Sequence, residues 1–140
     1  MIDLEDRLAA LLLSDPAIKA LVGNNCDWNR SSQGVTGPRI IMFLISAPVV
    51  YRMNGPVKHF MTRVQIDCRA ETDMQSRDLG KAVDEFISGY KGTFGGVFID
   101  GVFRDGKQSA TERDSNSGNA ALQWFARKLD YRFYWAPAQP

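Results

Sequence analysis

The chain has 140 residues, 44% of them hydrophobic and 24% charged, with a formal net charge of +1. That length suits one domain with its own core, and that composition belongs to a soluble globular chain, not a disordered or membrane one. So small a net charge holds neither a duplex nor an anionic membrane surface, so bulk nucleic-acid binding is excluded and at most a local basic patch remains.

The N-terminus, Met1-Ile2-Asp3-Leu4-Glu5-Asp6, is acidic and lacks the basic start of a secretory signal. Leu4, Leu8, Leu11 and Leu12 then recur at helical spacing, with acidic residues at the positive end of the helix dipole. Asp15-Pro16 reads as an N-cap followed by proline at the first helical position. A short second helix therefore carries Ile18, Leu21 and Val22 to a stop at Gly23.

Residues 23–37 are rich in Asn, Ser and Gly and read as a loop, with Cys26 and Trp28 marking a brief strand. Residues 40–45 are an unbroken apolar run, which predicts a strand covered on both faces or central in a sheet. The apolar stretch ends at Ala47, far short of the roughly 20 residues that span a bilayer. After the Asn54-Gly55-Pro56 turn signal, Phe60, Thr62, Val64, Ile66 and Cys68 alternate with Met61, Arg63, Gln65, Asp67 and Arg69. That period of two predicts a strand with one buried and one wet face, paired with the first in a long antiparallel hairpin whose far end is 47–58.

Thr72 and Gln75 form a capping-box pattern. Leu79, Ala82, Val83, Phe86, Ile87 and Tyr90 follow as one apolar helical stripe, ended by Gly89 or Gly92 and expected to pack on the Val64–Ile66 sheet face. Residues 97–103 predict a third strand, and the polar stretch 105–119 a mobile loop or arm. In the last strand Phe125, Leu129, Tyr131, Phe133 and Trp135 share one side, and Trp124, Lys128, Asp130 and Arg132 the other. Residues 136–140, with two prolines, are expected to leave the ladder as a flexible tail. The predicted fold is α+β in one domain, 1–140: a small, mainly antiparallel sheet with the N-terminal helix pair and one long helix packed on one face.

Catalytic chemistry needs convergent titratable groups. His59, the single histidine, stands near a strand start and reads as a solvated strand-end residue. Cys26 and Cys68 are far apart and have no Cys-x-x-Cys spacing; two free thiols in a reducing cytoplasm are the expectation, and spacing alone leaves one disulfide open. Neither that set nor Asp67, Asp84, Glu85 and Asp100 has metal-ligand spacing. Gly92-Thr93-Phe94-Gly95-Gly96 leads from helix to strand, the reverse of a phosphate loop, and reads as a connector. No catalytic, cofactor-binding or metal residue is therefore assigned, and the chain is read as no enzyme. Arg63, Arg69 and Arg132, interleaved with Asp67 and Asp130, predict a solvated or partner-facing sheet surface, with Arg127 on the opposite parity. Aromatic residues of both parities near the C-terminus exceed what one helix layer buries, so some are expected to meet another protein chain.

The ordered set of these motifs resembles the phage tail-completion family, also called tail terminators or head–tail joining proteins. The resemblance runs through residues 8–23, Pro38-Arg39-Ile40-Ile41, residues 51–56, Arg63-Val64-Gln65-Ile66-Asp67-Cys68, the helix from Thr72, and residues 128–134. Residues 92–105 and the loop to Asn119 depart from the pattern by their length and glycine content. The resemblance implies a structural virion protein without catalytic residues or cofactors, assembled in the host bacterial cytoplasm. It would form a ring, commonly a homo-hexamer, that ends the tail tube and meets the head connector or stopper, with DNA free to pass through it. Residues 105–119 and 49–58 are the expected contact surfaces. A head-completion or stopper protein at the neck, a small cytoplasmic binding module that accepts a strand at its sheet edge, and a small enzyme using His59 are the alternatives.

Overall fold

Apolar periodicity sorts this chain into three helices and eight strands, seen in a computed structural model that describes residues 2–30, 37–49, 51–53, 55–56, 58–113 and 123–138. Helix α1 (Leu4–Leu13) starts at Asp3, where Asp3 and Asp6 bond each other's backbone N–H reciprocally, and it buries Leu4, Leu8, Leu11 and Leu12. Asp15 caps α2 (Pro16–Val22), which ends at Gly23 with φ +64°. Helix α3 (Asp73–Ile87) is capped by the Thr72 hydroxyl, accepting from Gln75 N–H, and Gly89 follows its end with φ +76°. Of its predicted stripe, Leu79, Val83 and Ile87 are fully buried.

The strands are β1 (Cys26–Trp28), β2 (Arg39–Ser46), β3 (Tyr51–Arg52), β4 (Gly55–Pro56), β5 (Phe60–Ala70), β6 (Gly92–Phe94), β7 (Val97–Arg113) and β8 (Gln123–Pro137). Six form one sheet in the order β1-β2-β5-β8-β7-β6, and β3 and β4 form a separate two-stranded ladder. Among the described strand pairs only β1–β2 is parallel; the predicted β2–β5 pair is antiparallel, matching Ile40 with Cys68 and Met42 with Ile66. The α+β architecture with its three helices on one sheet face is the one expected. The core lies between these layers, where Val64, Ile66, Leu129, Tyr131 and Phe133 meet the apolar helix faces. Gly80 lets α3 approach β8 closely, since a Cβ there would stand 3.2 Å from Arg127 Cβ.

Four expectations change. Residues 105–113 are strand, not loop: β7 continues to Arg113, paired with β8 down to Arg113↔Gln123. A strand at the sheet margin needs no buried face, so its polar side chains disguise it as loop. The remainder of the predicted loop, 114–119, lies outside the described residues. The predicted tail also joins the ladder at its start, because Phe98 pairs with Ala136 and Val97 with Pro137, and Ala138 N–H donates to Gly96 O. Strand alternation then turns the Pro137 nitrogen toward the side where β5 has already ended, so no ladder bond is lost. Residues 139–140 are outside the described set.

Third, residues 92–96 are more than a connector. Gly92–Phe94 pairs with β7, and Gly95 and Gly96, with φ +56° and +89°, make the two-residue turn of a tight hairpin. Fourth, the apolar run 40–45 does lie inside the sheet, between β1 and β5, as one of its two readings had it, but it is only half covered. Ile40, Ile41 and Met42 are buried beside β1, whereas Leu44 and Ile45 are 42% and 48% exposed. β1 pairs only with residues 40–42, and a bulge interrupts the ladder between Leu44 and Ser46.

Candidate functional surface

With the helices on one face, no described helix packs on the other face of the sheet, although Ile41, Asp67 and Ala126 on it are buried. Strand alternation places there the polar parity of β5 and β8 that the sequence set aside as wet or partner-facing. Arg63 pairs across the ladder with Arg132, Gln65 with Asp130 and Asp67 with Lys128, while Arg127 faces α3 and bridges Asp73 at 2.9 Å.

Arg132 organises one end of this face. Its Nε donates to Asp105 Oδ1 at 2.8 Å and a terminal nitrogen donates to Tyr134 Oη at 3.0 Å. The guanidinium stands 5.7 Å from the Phe103 ring centroid and 5.9 Å from that of Tyr134, and these two rings meet edge to face at 5.7 Å. Arg63 adds a weaker 3.9 Å contact to the other Asp105 oxygen. The hydrogen bond and charge of Asp105 raise the Arg132 pKa, so the cation is held in place and permanently charged. Phe103 is 51% exposed, and it borders a shallow depression with Asp100, Gly101, Arg132 and Tyr134. A fixed arginine between an exposed and a half-buried aromatic ring is what protein–protein hot spots are made of.

A second cluster closes the opposite end of the face. Arg39 and Arg69, neighbours across the β2–β5 ladder, place their guanidinium groups 5.8 and 5.5 Å from the Trp124 ring centroid. Arg69 also bonds Asp67, whose carboxylate is 1% exposed and accepts from Gln65 at 2.7 Å. The expectation of a wet Asp67 is thus corrected: flanking Gln65 and Arg69 fold over it and satisfy it. Burial first, and then the neighbouring Arg69, lower the Arg39 pKa. The Trp124 Nε1–H and Arg69 Nε–H are buried without a hydrogen-bond partner among the described residues.

The other flagged residues do not converge. His59 is exposed just before β5. Asp84 and Glu85 are on α3, Asp67 is on β5 and Asp100 is on β7, where it bridges Lys91. Among the described residues no three His, Cys, Asp or Glu side chains gather as a metal site. Cys26 and Cys68 are both buried free thiols, each opposite Ile40 on either side of β2. Two strand spacings, about 10 Å, exceed the roughly 7 Å limit for a disulfide.

A further exposed surface lies at the far end of the β2–β5 hairpin. Leu44, Ile45, Val49 and Met53 are all exposed there. Val49 also lines a groove with Leu4, Pro48, Phe60 and Trp135. Periodicity did not single out the Phe103 patch, although a signal exists. The inward apolar residues of β7 switch from odd positions, Val97 and Ile99, to even, Val102, because a bulge falls between Ile99 and Gly101. That switch turns Phe103 outward.

No protein-family model and no curated protein sequence matches the chain. Among solved structures it is similar to a chain of the "Virion of native gene transfer agent (GTA) particle", with a TM-score of 0.66 at 15% sequence identity, over 95% of this chain and 94% of that one. At that identity the likeness is one of fold.

Proposed function

We propose that this chain is a structural protein of a phage or phage-like particle, and that within it the protein forms a ring that ends the tail tube and joins it to the head connector. The observation that carries the reading is the fold shared end to end with a chain of a gene transfer agent virion. The ordered motifs of the tail-completion family support the narrower role, and six is the subunit number that this resemblance implies.

The mechanism is geometric. One surface of each copy meets a different surface of the next, and such a head-to-tail contact closes when its rotation divides a full turn. Two unlike exposed surfaces are available for it: the aliphatic hairpin end at Leu44, Ile45, Val49 and Met53, and the Phe103–Arg132–Tyr134 patch. A closed ring on the tube end no longer presents what the next tube ring binds, so elongation stops, and its far side is left to meet the head.

Electron microscopy of lysates from a strain lacking the gene tests this. Filled heads lying apart from overlong or ragged tails are expected. Leaking heads beside tails of uniform length would move the protein to the head side of the neck as a completion or stopper protein. Normal infectious particles would overturn the virion reading.

A further inference from the structure

Strand β7 has seventeen residues, but β6 pairs only with Val97, Phe98 and Ile99. The next outward carbonyl, that of Val102, accepts from Gly89 N–H. Beyond it the outer edge of β7 has no backbone partner among the described residues.

Which groups point outward follows from the register. Ala138 N–H donates toward β7, so the even-numbered residues of β8 face β7. This alternation holds along β8, because its ladder with β5 runs unbroken from Phe60↔Trp135 to Ala70↔Phe125. Gln108 and Ala110, opposite Lys128 and Ala126, therefore bond to β8. Lys107, Ser109 and Thr111 direct their N–H and C=O groups away from the sheet, and all three residues are exposed. Bulges at Asp100 and Asp105 interrupt the edge upstream, as sheets do where pairing is to be prevented, but 106–113 is regular and backed by β8.

We infer that the outer edge of β7 at Lys107, Ser109 and Thr111 accepts an extended, acidic strand from a different protein of the same particle. Main-chain bonds would supply affinity, and the side chains flanking the edge would supply choice. Lys107 has no carboxylate partner among the described residues, so it favours a strand carrying Asp or Glu opposite it. A second copy does not supply that strand by sheet continuation: along β1, Cys26 N–H donates to Asn24 O and Trp28 O accepts from Arg30 N–H, and β2 beyond Met42 (Phe43, Leu44, Ile45 and Ser46) has no acidic residue to set opposite Lys107. Pairing of β7 with its own twin gives a closed two-fold dimer, not a ring. The choice of partner rests on the virion reading above; the open edge does not.

Proline scanning separates the edge from the fold. Ser109→Pro removes an outward N–H and leaves the β7–β8 ladder intact, whereas Ser109→Ala keeps the N–H. Both variants should melt like the wild type, and each is then supplied to a strain lacking the gene. The expected result is wild-type protein and Ser109→Ala in purified particles, at least tenfold less Ser109→Pro, and a similar reduction for Lys107→Glu. Equal incorporation of folded Ser109→Pro overturns the edge and leaves the virion reading standing. Absence of the wild type from particles overturns the virion reading and this partner with it. A wild-type dimer in isolation, abolished by Ser109→Pro, assigns the edge to self-pairing and also overturns the proposal.

Discussion

The Tyr131 hydroxyl donates to Asp84 Oδ1 at 2.7 Å, joining the centre of β8 to the outer half of α3. Arg104, reaching from β7, holds the other carboxylate oxygen at 3.1 Å. One carboxylate thus ties three elements together at the boundary of the core, and burial together with this bond raises the Tyr131 pKa.

Removing the two ends of this bond should not be equivalent. Tyr131→Phe leaves Asp84 with Arg104 and solvent, and costs about 1 kcal/mol. Asp84→Ala strands a buried hydroxyl and frees Arg104, and costs about 1–3 kcal/mol. Urea unfolding of the two variants checks the order; equal losses would mean that the bond is not the tie described.

Stability should be lost on the alkaline side. Burial first, and the Asp27 charge second, push the Cys26 thiol from 9.0 up to about 12, and burial raises Cys68 as well. A pKa raised by folding stabilises the native state fully below the unfolded value, and that contribution disappears as pH climbs from there through the folded value. Urea midpoints should therefore stay level near neutrality and fall above about pH 9. Cys26→Ala should flatten part of that fall. In native protein both thiols should react with an aromatic disulfide reagent only on the timescale of unfolding.

The β6–β7 turn should tolerate few residues. Gly96→Val forces a branched side chain to φ +89° and costs roughly 1–2 kcal/mol. Gly95→Asn should cost less, because asparagine accepts the left-handed region and the Cβ only displaces the Arg7 side chain, at the loss of its exposed 2.8 Å bond from Nε to Gly95 O. Thermal melts of the two variants provide the comparison.

Changes on the uncovered surfaces should act on assembly and spare the fold. Phe103→Ser and Ile45→Asp alter half-exposed side chains, so each should shift stability by no more than about 0.5 kcal/mol. Each should nevertheless reduce incorporation into particles by an order of magnitude, measured by quantitative blotting of purified virions. Normal incorporation of both would remove these surfaces from the contact.

Much of the fold was legible in local chemistry. The caps at Asp15 and Thr72, the stripe Leu79–Val83–Ile87 and the alternation from Phe60 to Arg69 each mark an element through backbone propensity or period, without long-range information. Of the candidate surface, the sequence identified the polar strand parity and the aromatic excess near the C-terminus. It missed Phe103 as an exposed residue because a one-residue bulge reverses which side faces out. It also misread 105–113, because an edge strand has no buried face to impose a hydrophobic pattern.

What remained for the tertiary structure was the layer boundaries. Leu44 and Ile45 are as apolar as Ile40 and Met42, yet one pair is exposed and the other fully buried, because β1 ends at Trp28. Asp67 is as polar as Asp130, yet it is buried, because Arg69 and Gln65 close over it. Side-chain chemistry and spacing are properties of the chain itself, so the sequence alone determined the helices, the strand periods and the α+β class. Exposure depends on where neighbouring elements stop, and this long-range geometry decided which surfaces are left for a partner.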